Sequence, residues 1–102
     1  MKKEDALNVW LREFGDVDYA HDFSGKKIKR DDYEVENQVG WVVSYVMPLC
    51  KGGKDNPDNM IILHHVTAFE KGDLYPDFEV TGVKYTIKHD DVDDFYYLER
   101  IV

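Results

Sequence analysis

The sequence has one cysteine in 102 residues, Cys50, so no disulfide can form within the chain. That excludes a disulfide-stapled scaffold and points to a reducing, cytoplasmic setting. No apolar run approaches the ~18 residues of a membrane span. The opening Met1-Lys2-Lys3-Glu4-Asp5 lacks the apolar stretch of a secretory signal, so no membrane partner is expected. Positive charge is scarce: 13 Lys and Arg stand against 21 Asp and Glu, a net charge of −8. A general nucleic-acid binder needs the opposite balance, because phosphate contacts call for Lys and Arg. There is no repeat, no low-complexity tract and no linker long enough to separate domains.

With 14% aromatic and 43% hydrophobic residues, the chain has the composition of a folded protein. Its length fits a single domain, 1–102, with a modest core. Acidity concentrates towards the end. From Asp73 onward, eight acids (Asp73, Asp77, Glu79, Asp90, Asp91, Asp93, Asp94, Glu99) outnumber three bases (Lys84, Lys88, Arg100). The only basic cluster is Lys26-Lys27-Ile28-Lys29-Arg30.

Ala6, Leu7, Trp10, Leu11 and Phe14 recur at helical spacing, which predicts a helix from about Lys3 to Phe14, stopped by Gly15. Tyr19 to Tyr33 reads as a hairpin turning at Phe23-Ser24-Gly25-Lys26, with Ile28 in a polar flank. Val39 to Leu49 is rich in β-branched and aromatic residues and reads as a strand ended by Pro48. A loop from Lys51 to Asn59 follows, then a short strand from Met60 to Leu63 and a helix from His64 to Lys71 stopped by Gly72. Phe78 to Lys88, folded at Gly82, and Phe95 to Val102 read as strands joined by an acidic turn, Asp90 to Asp94.

Several features of the middle of the chain occur in a set order. They are Gly40-Trp41-Val42-Val43-Ser44-Tyr45-Val46-Met47-Pro48, then Gly52-Gly53, then Asn59-Met60-Ile61-Ile62-Leu63-His64, then Lys71-Gly72-Asp73. With Asp22-Phe23-Ser24-Gly25 upstream and Tyr75-Pro76-Asp77-Phe78 downstream, this pattern resembles the HNH nuclease domain of small bacterial and phage proteins. The resemblance covers about Trp10 to Lys88. It implies an α+β fold: an N-terminal helix, a degenerate ββα-metal (HNH-like) core and additional antiparallel strands.

In such a domain a carboxylate and a helix Asn or His hold a divalent metal against the scissile phosphate, and a strand-end His activates water. By the resemblance, those positions fall here on Ser44 (carboxylate), Tyr45 (His) and Ala68 (helix ligand), with only the loop-bracing Asn59 retained. A hydroxyl is a weak metal ligand, a phenol is a poor base at neutral pH, and alanine has no donor atom. The paired Cys-x-x-Cys zinc motifs of many HNH domains are also missing. The resemblance thus implies a pseudo-nuclease with no metal or other cofactor. Neighbouring His64 and His65 are expected to hydrogen-bond rather than share a metal, His21-Asp22 to be no relocated acid–base pair, His89 to be solvated, and Cys50 to be a semi-buried structural thiol.

Without its chemistry, such a scaffold is expected to act by binding protein. The acidity suggests an inhibitor or regulator of a nucleic-acid enzyme that mimics DNA charge, such as a phage-encoded anti-CRISPR or other counter-defence protein. Its expected interface is Asp90, Asp91, Asp93, Asp94, Phe95, Tyr96, Tyr97 and Glu99. The alternatives are a nucleic-acid-binding module, with phosphate contacts from Lys26, Lys27, Lys29, Arg30, Lys51 and Lys54, and a residual metal-dependent endonuclease.

Overall fold

The computed structural model describes residues 1–101. Helix α1 spans Lys3–Phe14, with Glu4 and Asp5 in the first turn and Arg12 in the last, the placement that suits the helix dipole. Gly15 ends it at φ 85°, its N–H donating to the Leu11 carbonyl. The apolar stripe seats Ala6 and Trp10 in a core with Ile28, Trp41 and Ile62. The rings of Trp10 and Trp41 lie 5.0 Å apart, and both indole N–H groups find carbonyls, Val17 for Trp10 and Lys29 for Trp41.

Strands β1 (Tyr19–His21) and β2 (Lys27–Lys29) form the first hairpin. It is shorter than the sequence reading, because Arg30–Asp32 turns into a 3₁₀ segment. Within that polar flank Ile28 is fully buried: alternation turns it inward while Lys27 and Lys29 face out.

Strands β3 (Trp41–Tyr45) and β4 (Met60–His64) pair antiparallel, and helix α2 (His65–Lys71) follows directly. The expected strand from Val39 to Leu49 is cut back at both ends, since Pro48 leads into a 3₁₀ turn at Leu49–Lys51. His64 is the last residue of β4 and the N-cap of α2, not its first helical residue. Its Nδ1 accepts the Val66 N–H at 3.1 Å, so Nε2 carries the proton and donates to the Gln38 carbonyl at 3.0 Å.

The third sheet has the order β5 (Asp77–Val80), β6 (Val83–Asp90) and β7 (Phe95–Arg100), all antiparallel. Thr81 and Gly82, at φ 51° and 76°, make the tight turn between β5 and β6. The expected last strand stops at Arg100, and Val102 lies outside the described residues. Phe78, Val80 and Ile87 from this sheet meet Val46 and Met47 in a second core. The described residues form an α+β fold of two helices and three antiparallel sheets. No helix among the described residues is long and apolar enough to cross a membrane.

The outer edge of β4 is closed. In the β3–β4 ladder the amides of Met60, Ile62 and His64 point away from β3. They donate to the Pro57 carbonyl, the Glu13 carboxylate at 3.1 Å and the Asp22 carboxylate at 3.0 Å.

Candidate functional site

The sequence places the candidate chemistry at the end of β3 and on α2, and these two elements are in contact. Strand alternation sends Ser44 and Tyr45 to opposite faces. The Tyr45 hydroxyl donates to Asp55 at 2.7 Å. That hydrogen bond, with burial, holds the phenol above its usual range, so it keeps its proton and is no base at neutral pH. Ala68 lies mid-helix and offers no donor atom.

One turn further, Lys71 is fully buried, although the sequence marks it only as the end of a helix and as part of the Lys71-Gly72-Asp73 element. Its ammonium donates to the Tyr45 carbonyl at 3.0 Å and lies 5.3 Å from the centre of the Phe78 ring. Burial pushes its pKa down to about 8, against the pull of Asp73. A lysine amine therefore bridges the strand end and the helix. The set Ser44, Tyr45, Ala68 and Lys71 does not fit a divalent metal: it offers one hydroxyl, one engaged phenol, a methyl group and a cation. Among the described residues, no three His, Cys, Asp or Glu side chains converge as a metal site would require.

Asn59 holds the loop before β4. Its Oδ1 accepts the Met47 N–H at 2.9 Å, and its Nδ2 donates to the carbonyls of Met47 and Lys54, both at 2.9 Å. Gly53 completes the brace, because a Cβ there would sit 1.9 Å from the Met47 oxygen. His65 stacks on His64 at 4.5 Å and binds the Asn37 carbonyl through Nε2. Both histidines thus anchor the loop at 37–38.

The sequence marks Asp22 as part of the Asp22-Phe23-Ser24-Gly25 stretch and of the His21-Asp22 pair, but not as what it is, a carboxylate that ties three elements together. Oδ1 accepts from the Ser24 N–H and hydroxyl and the Lys26 N–H, while Oδ2 accepts from His64 at the end of β4. Burial pushes the carboxyl up, but these bonds and the Thr67 hydroxyl outweigh it and hold it below the usual range. The available signal was the Asp-x-Ser-Gly spacing of a side-chain-closed turn.

The basic hairpin is largely occupied. Lys26 reaches Ser24 and Thr81 (3.2 and 2.8 Å), and Lys27 and Lys29 lie over the Tyr19 ring. Arg30 grips Asp16 and Asp18 at 2.7 and 2.6 Å. Lys54 pairs with Asp94, and Lys51 is exposed. Cys50 is exposed rather than semi-buried, its thiol 3.5 Å from Asp73, because the 3₁₀ turn at Leu49–Lys51 buries none of its residues.

The acidic turn is tied to itself. Asp90 caps the amides of Val92 and Asp93. His89 is not simply solvated: Nδ1 lies 2.8 Å from Asp91 and Nε2 2.8 Å from Asp94. The hydrogen bonds with Asp94 and Asp91 hold its pKa above the usual histidine range. Tyr96 packs towards the second core and on His89, while Phe95 and Tyr97 share the opposite face of the sheet, where Lys88 pairs with Glu99. Compared with protein-family models, curated proteins and solved structures, the chain matches none.

Proposed function

We propose that this chain is a catalytically inactive HNH-like protein that works by binding another protein. Its target class is a nucleic-acid enzyme, which it inhibits as an acidic decoy in the manner of an anti-CRISPR or other counter-defence protein. One observation carries the reading. Where the β3 end meets α2, the donor set is Ser44, Tyr45 and Ala68, with the Lys71 amine bonded to the Tyr45 carbonyl. A strand–strand–helix frame braced by Asn59 surrounds this set, and none of its four residues can both hold a metal and take a proton from water. Because fold alone does not give function, the partner class rests on surface charge. The net charge is −8, and the lysines and arginine of the hairpin are mostly engaged within the molecule.

Three measurements test it. Purified protein with plasmid and Mg²⁺ or Mn²⁺ is expected to leave the DNA intact; nicking lost in His64→Ala or His65→Ala would overturn inactivity. Assayed against a panel of DNA- and RNA-processing enzymes, the chain is expected to inhibit at least one stoichiometrically, with association slowed by salt. Tight duplex binding at ~150 mM salt, abolished by changing Lys26, Lys27, Lys29 and Arg30 to Ala, would instead establish the nucleic-acid module.

A further inference from the structure

The most exposed aromatic side chain lies on α2, not on the acidic turn. Phe69 is 88% exposed, on a helix whose other face buries Thr67 and Lys71. Beside it an open groove of about 330 Å³ runs between α2 and the loop that leads into β3, lined by Glu36, His65, Val66 and Phe69. The His65–Asn37 hydrogen bond fixes the loop wall against the helix. The groove is therefore preformed, with an aromatic anchor standing free at its lip.

Its charge has one sign. From Asp31 to Cys50 the chain carries Asp31, Asp32, Glu34 and Glu36 and not one Lys or Arg. Glu70 reaches instead to the β5–β6 turn, where it accepts the Thr81 N–H close to Lys26, so Glu36 is the carboxylate that lines the groove, and Lys71 is buried beneath α2. None of the ion pairs among the described residues involves Glu34, Glu36, Glu70 or Asp73. The acidic turn contrasts with this, since Asp91 and Asp94 already face His89, and Asp94 also Lys54.

We infer that the groove between α2 and the Glu34–Gln38 loop is a docking site for a cationic segment of a partner protein, one with an apolar side chain to pack on Phe69 and Lys or Arg to meet Glu36. Charge complementarity selects this occupant. Phosphate backbones and anionic lipid surfaces are repelled by the same acids, and two copies of the groove placed face to face would oppose like charges. The inference rests on the protein-binding reading and moves its centre from the acidic turn to α2. An exposed aromatic beside a pocket is the kind of residue that dominates interface energy.

The probe is a pair of fluorescein-labelled amphipathic peptides with the same Leu-Trp centre, one flanked by Lys and Arg, the other by Glu. Each is titrated into the full chain, with amide NMR shifts recorded at low and near-physiological salt. The basic peptide is expected to shift Glu36, Val66 and Phe69, and to bind less tightly as salt is added. Phe69→Ala should weaken it about tenfold, Phe69→Leu much less, and Glu36→Gln about two- to threefold. Because Phe69 is exposed, its variants should keep the parent's thermal midpoint. Three results would overturn the inference: shifts centred on Asp90–Asp94 with Phe69→Ala binding as the parent does, self-association reversed by Phe69→Ala, or displacement of shifts at this groove onto a duplex DNA probe. No enzyme enters this assay, so a failed inhibition screen leaves it standing. A failed peptide assay beside intact inhibition would return the interface to the acidic turn.

Discussion

At the scale of single residues, three buried polar groups carry more of this structure than their number suggests. Asp22 accepts four hydrogen bonds and closes a turn, a hairpin and a strand end at once. Asp22→Ala would leave the buried His64 amide without a partner, and we expect a loss of about 3 kcal/mol in chemical denaturation. Asp22→Asn, which keeps one carbonyl oxygen, should lose less. The folded carboxyl sits below its ordinary range, so its contribution is present above the unfolded pKa and is lost as pH falls through the folded one. Asn59 was legible in the sequence as a loop brace, because its role came with the resemblance. Asp22 and Lys71 were not, because what they do depends on partners 42 and 26 residues away. Cys50 misled for a related reason: proximity to Pro48-Leu49 says little about burial when the turn itself faces water.

Among the elements, those with strong local periodicity were the readable ones. Helix α1 matches its expected bounds, Lys3–Phe14, since five apolar residues and a stop glycine mark it. The fold of the third sheet at Gly82 follows from a two-residue turn that needs positive φ. Strand ends were less legible. Residues 39–40 and 46–49 look extended and apolar, yet pairing decides where a strand stops. The Val46 amide still bonds Asn59, and beyond it the chain turns at Pro48. The loop from Leu49 to Asn59 is held by Asn59 and by the Lys54–Asp94 pair, which joins it to the β6–β7 hairpin. We expect Asn59→Ala to cost about 3 kcal/mol through the Met47 amide and carbonyl it leaves buried. Faster hydrogen exchange should then be confined to residues 47–60. Lys54→Ala, which breaks an exposed pair, should change stability by less than about 1 kcal/mol.

For the whole molecule, two shifted groups shape the pH profile in opposite directions. Glu13 is exposed as a residue, but its carboxylate turns against β4, where burial raises its pKa to about 7 despite the Ile62 hydrogen bond and nearby Arg12. A raised folded pKa gives stability that is complete below about 4.5 and lost as pH rises through about 7. Lys71 has a folded pKa lowered to about 8, so the unfolded chain binds the extra proton above that pH and stability rises from about 8 to 10.5. The lysine alone is worth about 3 kcal/mol over that window. Denaturation at pH 5, 7.5 and 9.5 should therefore find the combined contribution of these two groups lowest near 7.5. Lys71→Met should remove the alkaline rise, and Glu13→Gln should flatten the fall between pH 5 and 7.5. Glu13 and Asp22 also cover the outward amides of β4. A bare strand margin is a template on which another chain can add itself. Here that template is masked by two side chains that lie far from β4 in sequence, so the ribbon can neither recruit a partner by strand addition nor seed a growing fibre while the fold holds. The two carboxyls of the guard answer acid differently: Glu13 is already mostly neutral below about 7, the form its burial favours, whereas Asp22 is held as a carboxylate, so strong acid loosens the cover at the His64 end of the strand first.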